Sequence, residues 1–260
     1  IISILADATE KTQRPFLKRA LALQHKAMAA GDPTAYTKGI LRNQITSVLQ
    51  MSDKVRWDLL MDYFREVLPD NDPAGEPVEL SADLTWHNQS AECRYDGHWL
   101  KQHPEHIPDT TVYQHIENFT LQNDAISDLI SFAYIQLIND VLANRAQNEH
   151  IAPAINKLKS KQNDIRKIFD PGDAGDLFER NVVVLALGDV NLEMRKTVPL
   201  LLAKLVYENH KRVGGGRTLN LIIDEAHNIL SRESFREAES WKDYRLETFE
   251  EIIKEGRKFG

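Results

Sequence analysis

Seven consecutive positions, Asn181-Val182-Val183-Val184-Leu185-Ala186-Leu187, carry almost only β-branched and apolar side chains, and Leu219-Asn220-Leu221-Ile222-Ile223-Asp224 repeats the theme. A strand with one wet face alternates apolar and polar residues. A run that is apolar throughout has no wet face and calls for cover on both sides, as in a parallel sheet. Between the runs, Leu192–His210 has helical spacing, with Leu200, Leu201, Leu205 and Val206 as its stripe, and the turn Gly214-Gly215-Gly216 follows. Strand, crossover helix and strand make a βαβ unit with a right-handed connection. Residues 176–260 are therefore expected to be a segment of an α/β core.

Residues 1–175 follow other rules and are expected to form a mainly helical insertion or subdomain. Phe16, Leu17, Ala20, Leu21 and Leu23 form one apolar stripe. Ile45, Val48 and Leu49, then Val55, Leu59, Leu60 and Phe64, form others at three- and four-residue spacing. Gly31-Asp32-Pro33 breaks the first helix, and Ser52-Asp53 predicts an N-cap. Residues 69–122 begin with a Pro-, Asp- and Asn-rich stretch and predict an irregular connection with a short strand or two. A further helix is expected from about Asn123 to Asn144, with Ile126, Leu129, Ile130, Ala133, Leu137 and Val141 on one face.

Composition removes several classes. The chain has 260 residues, 32 basic against 39 acidic side chains and one cysteine, Cys93. One thiol excludes an internal disulfide framework and any multi-cysteine metal site, and it suits a reducing cytoplasm. A net charge of −7 excludes a uniformly basic nucleic-acid coat but leaves room for a local basic channel. No uninterrupted apolar run approaches the roughly 18 residues of a membrane helix, so no membrane partner is expected. The chain opens on Ile1-Ile2-Ser3-Ile4-Leu5, with no initiator Met or charged leader, and is expected to be an excerpt of a longer protein.

The second apolar run ends in Asp224-Glu225-Ala226-His227. In an open α/β sheet the C-terminal strand ends face the ligand crevice, and two adjacent carboxylates there can divide two tasks. Asp224 would hold Mg²⁺ through water while the ion bridges ATP phosphates, and Glu225 would orient or deprotonate the attacking water. The competing reading is that the pair caps the helix that follows. A phosphate-cradling loop G-x-x-x-x-G-K-[ST] is missing, since no Gly-Lys pair occurs in the chain. No cofactor-binding residue is therefore assigned, and the phosphate loop is expected before Ile1.

Asp224-Glu225-Ala226-His227, together with Phe249-Glu250-Glu251-Ile252-Ile253-Lys254-Glu255-Gly256-Arg257-Lys258-Phe259-Gly260, resembles the acidic strand and following helix of HerA/FtsK-like ring ATPases, HerA-type DNA translocases in particular. Asn181–Gly188 with Glu193–Arg212 is similar to the strand and helix that precede them, and Thr12-Gln13-Arg14-Pro15 resembles the family's entry into a helical insertion. The resemblance is specific over about 176–260 and weak over 1–175. It implies a partial RecA-like P-loop core with a parallel sheet, ATP and Mg²⁺, a homo-hexamer, and double-stranded DNA in the channel. It also implies a partner nuclease or other effector, in end resection or anti-phage defence. Arg257, at the end of the last helix, would then serve a neighbouring subunit's nucleotide, or would pair with Glu250 or Glu255 on its own helix. A monomeric DEAH-box helicase and a degenerate, non-hydrolysing oligomeric scaffold are the alternatives.

Other groupings carry less. Cys93, His98, His103 and His106 lie close in sequence, but only His103 and His106 have metal-ligand spacing. Lys157, Lys159, Lys161, Arg166 and Lys167 read as a DNA-phosphate patch or a solvated face. Trp57, Trp86, Trp99 and Trp241 show no regular interleaving with basic residues. His227 and Asn228 read equally as couplers of the nucleotide site or as hydrogen-bond supports.

Overall fold

The computed structural model describes residues 2–6, 8–122, 124–169, 181–188, 192–213, 218–227 and 246–255. The chain divides into two compact units, Ala8–Lys159 and Ile1–Asp7 with Ser160–Gly260. The seam expected near residue 175 lies outside the described residues.

In chain order the elements are α1 (Ile2–Leu5), α2 (Gln13–Met28), α3 (Pro33–Leu49), α4 (Lys54–Val67), β1 (Leu84–His87), β2 (Glu92–Tyr95), β3 (His98–Trp99), α5 (Thr111–Gln114), α6 (Ala125–Leu142), α7 (Asn148–Phe169) and α8 (Leu192–Val213). Single turns of 3-10 helix at Pro104–Asp109 and His115–Asn118 flank α5. Residues 246–255 form α9.

Three aspartates start three of these helices. Asp32, Asp53 and Asp124 accept the backbone N–H of Ala35, Arg56 and Ser127. Each satisfies a first-turn donor that the helix itself leaves unpaired. The predicted break at Gly31-Asp32-Pro33 and the cap at Ser52-Asp53 are both explained this way.

Helix α6 is the axis of the first unit and packs against α2, α3 and α4. Its expected apolar face is buried, and so are Phe132, Tyr134, Ile135 and Ile138 on its other sides. By length and composition α6 could cross a membrane, but most of it is buried inside the protein. That is how a helix apolar all round behaves at the centre of a bundle. Its polar side chains are placed with care. Asp140, with no exposed surface, accepts from Arg19 Nη2 at 2.7 Å and Nε at 3.3 Å, and from Gln136 Nε2 at 2.9 Å. Gln44 of α3 donates to the Ile135 carbonyl and to Asn139 Oδ1, both at 2.8 Å.

Asp128 is the other buried acid of α6. It accepts the Gln122 N–H at 2.9 Å. Burial pushes its carboxyl above the ordinary carboxylate value; the Gln122 bond opposes the shift and the Asp124 charge adds to it. The folded state thus holds this proton more tightly than the unfolded chain. The stabilisation is present below the ordinary value and is lost as pH rises through the raised one. Asp128→Asn imitates the protonated form and keeps an oxygen for Gln122. Its stability advantage over wild type should grow from acidic to neutral pH, reaching about 1 kcal/mol or less. Denaturant melts at several pH values measure this, and a difference independent of pH contradicts the assignment.

The only sheet among the described residues is the antiparallel meander β1-β2-β3, in register Leu84↔Tyr95 through His87↔Glu92 and Arg94↔Trp99. Asp96 and Gly97 both have positive φ, 43° and 82°, as a two-residue hairpin turn with right-handed twist requires. Trp86 of β1 meets Trp57 of α4 at a ring-centroid distance of 5.7 Å, and Lys54 lies 4.9 Å from the Trp57 ring centre. These contacts fasten the meander to the bundle. Cys93 sits beneath it, and burial raises its thiol to about 12, leaving it protonated and unreactive at neutral pH.

The expected α/β class, a partial RecA-like core with a parallel sheet, is overturned. The described residues are mostly helical, and their one sheet is the small antiparallel one at 84–99. Residues 182–187 and 218–223 have no regular secondary structure and pair with no strand among the described residues. Val184 is 87% and Ile222 91% exposed. An apolar run specifies what covers its side chains. It does not specify which backbone completes its hydrogen-bond ladder, and among the described residues none does.

Candidate functional site

In the second unit, α8 and α9 pack through Leu200, Ala203 and Phe249, with Ile223 and Ile252 against that cluster. Phe249 is buried and Ile252 packs, whereas Ile253 is exposed. Glu250 and Lys254 pair four residues apart at 2.7 Å. Glu255 binds Lys211 of α8 at 3.0 Å and accepts from the Tyr207 hydroxyl at 3.4 Å. The hydrogen bond to Glu255 holds Lys211 above the ordinary lysine value.

Ile223 anchors the end of the second apolar run on this cluster, and the chain then turns into solvent at Asp224 and Glu225, both exposed. Asp224 Oδ1 accepts the backbone N–H of Glu225 at 2.9 Å. Glu225 has φ of 53°, a left-handed conformation that costs a non-glycine residue about 1–3 kcal/mol and tends to occur at functional turns. His227 Nδ1 stands 3.0 Å from Glu225 Oε2. The structure therefore groups Asp224, Glu225 and His227 on one exposed turn. Residues 226–227 are helical where the described segment ends, and the continuation on which the helix-capping reading turns lies outside the described residues. Arg257, Asn228 and Gly214–Gly216 lie outside the described residues.

No family model, curated protein or solved structure matches the chain. The likeness to HerA-type ATPases therefore stands on its residues alone.

The basic run of α7 is partly occupied. Lys159 binds Glu66, and Arg166 reaches Asn163 at 3.5 Å. The histidines hold a surprise that spacing alone did not reveal. The Asp96-Gly97 hairpin returns β3 beside the 3-10 turn, so His98 stacks on His106 with ring centroids 4.3 Å apart and meets His103 at 5.6 Å. Glu105 binds His103 at 3.1 Å, and Asp109 lies 3.6 Å from His106. Even so, among the described residues no three His, Cys, Asp or Glu side chains are arranged to hold a metal ion.

Proposed function

We propose that this chain is part of a HerA-like hexameric ATPase, in which Mg²⁺-dependent ATP hydrolysis drives double-stranded DNA movement or activates a partner nuclease in the cytoplasm. The observation that carries the reading is the acidic turn. Two carboxylates stand side by side in solvent, beyond a residue anchored in a helical core, on a backbone held in a left-handed conformation at Glu225. That turn's chemistry needs no parallel sheet, and none is present among the described residues.

The donor set suits magnesium. Mg²⁺ prefers hard oxygen ligands and is commonly held by one or two carboxylates, with water and phosphate completing its shell. Bound Mg²⁺–ATP would supply the phosphoanhydride and the charge that polarises it. Asp224 would hold the ion through water. Glu225 would orient the attacking water and take its proton. His227, donating from Nδ1, would keep the Glu225 carboxylate turned toward that task. Arg257 would reach a neighbouring subunit's nucleotide, where an arginine fork grips two phosphate oxygens.

The test is the magnesium dependence of ATP turnover by the full-length protein. Asp224→Ala should raise the Mg²⁺ needed for half-maximal rate about tenfold, the loss of roughly one charge-assisted contact. An Asp224→Ala protein with the wild-type magnesium profile removes Asp224 from the site. A wild-type protein with no ATP turnover leaves the oligomeric scaffold as the better account.

A further inference from the structure

In the first unit a cavity of about 580 Å³ is lined by Lys11, Arg19, Arg145 and His150, with no aspartate or glutamate in its wall. That is unusual in a chain with 39 acidic residues and a net charge of −7. Arg19 is committed to Asp140. Lys11 and Arg145 pair with no carboxylate among the described residues. Exposed cations usually sit near acids because pairing is favourable and acids are plentiful. Two cations left on a concave, solvent-open wall direct their field into the same groove.

The backbone adds positive potential at the same place. Helix α2 begins at Gln13, directly after the lining residue Thr12, whose side chain makes no capping bond. Helix α7 begins at Asn148, directly after the lining residue Gln147. Each helix start carries partial positive charge. Pro15, however, has no N–H, Arg14 and His150 already donate to the Thr9 and Gln147 carbonyls, and Glu149 in the first turn of α7 offsets part of that charge. The opposing end, the C-terminus of α6, is closed off. Asn144 has φ of 53° and turns the chain back, and the Arg145 N–H bonds the Asp140 carbonyl at 2.7 Å. The same turn sets Arg145 in the cavity wall. Pro15 and Ile151 add apolar surface.

We infer that this cavity binds a phosphorylated small molecule of nucleotide size. Its phosphate lies against Lys11, Arg19 and Arg145, and its organic part lies on Pro15. Guanidinium and ammonium groups are the donors that phosphate oxygens take best. The volume falls within the range of about 300–1,000 Å³ typical of small-ligand sites. A nucleic-acid duplex, by contrast, presents its phosphates on a convex surface to open, positively charged faces. The inference does not depend on the Asp224–Glu225 turn, which lies in the other unit, so either can fail alone.

The experiment is calorimetric titration of the full chain with AMP, pyrophosphate and orthophosphate at low ionic strength. Lys11→Glu and Arg145→Glu are run beside wild type, since neither residue takes part in the buried Arg19–Asp140 pair. AMP and pyrophosphate should bind saturably, AMP more tightly than orthophosphate. Each charge reversal should weaken binding by about tenfold or more while thermal unfolding stays unchanged. Four results overturn the assignment: no saturable binding at millimolar AMP or pyrophosphate; binding that survives both reversals; orthophosphate equalling AMP, which makes the cavity an inorganic-anion site; or a short DNA duplex that binds and is not displaced by pyrophosphate, which gives the surface to nucleic acid.

Discussion

Arg19→Ala is expected to destabilise the helical unit by about 3–5 kcal/mol, the cost of leaving a buried charge without its partner. Asp140 has no exposed side-chain surface, whereas Arg19 keeps 42%. That asymmetry decides the outcome. Without Arg19 the carboxylate keeps only the Gln136 amide as a side-chain donor. The converse variant, Asp140→Ala, lets the guanidinium swing into solvent and costs mainly the hydrogen bonds lost at Gln136 and Arg19, about 1–2 kcal/mol. Denaturant unfolding followed by tryptophan fluorescence reports mainly on this unit, because three of the four tryptophans, Trp57, Trp86 and Trp99, lie in it. Equal losses in the two variants would show that Asp140 is not the isolated member. A double replacement with leucine at both positions should recover much of the stability, since an apolar pair needs no ionic partner.

Glu225→Gln in the full-length protein is expected to lower ATP turnover by about 10²–10⁴-fold, the range for loss of a positioned general base. Nucleotide binding should persist, because glutamine keeps the shape and the left-handed backbone costs it no more than glutamate. The split between rate and affinity is the informative readout. Turnover within a few-fold of wild type removes Glu225 from proton transfer, and parallel loss of binding and rate makes it a structural residue of the turn.

Local signals were legible in the sequence and non-local ones were not. Asp32 and Asp53 announce their helices because capping is settled within three residues. The spacing of Ile126, Leu129 and Ala133 announces α6, yet it hides that α6 is buried all round, which depends on α2, α3 and α4 closing over it. Val182–Leu187 announces a need for cover and extension, while strand pairing depends on chain elsewhere, and the expected parallel sheet failed on that point. The acidic turn was found because its residues are adjacent. The Arg19–Asp140 pair spans 121 positions, and Lys11 and Arg145 line one cavity across a similar span, so no spacing rule could have joined them.

The two uncovered apolar runs also bear on how the protein survives in concentrated solution. Six-residue stretches rich in valine, isoleucine and leucine, uncharged and free of proline, are the kind that stack across molecules into dry cross-β ladders. Val182–Leu187 and Thr218–Ile223 meet that description, and large parts of both face water. The sequence places charges at their ends. Arg180 and Asp189 bracket the first, and Arg217 and Asp224 bracket the second. In-register stacking would bring each charge within about 4.8 Å of its own copy, where like charges repel and dehydration is costly. Asp224 therefore has a second duty as a gatekeeper, one that neutralising it would remove along with any ligand it holds.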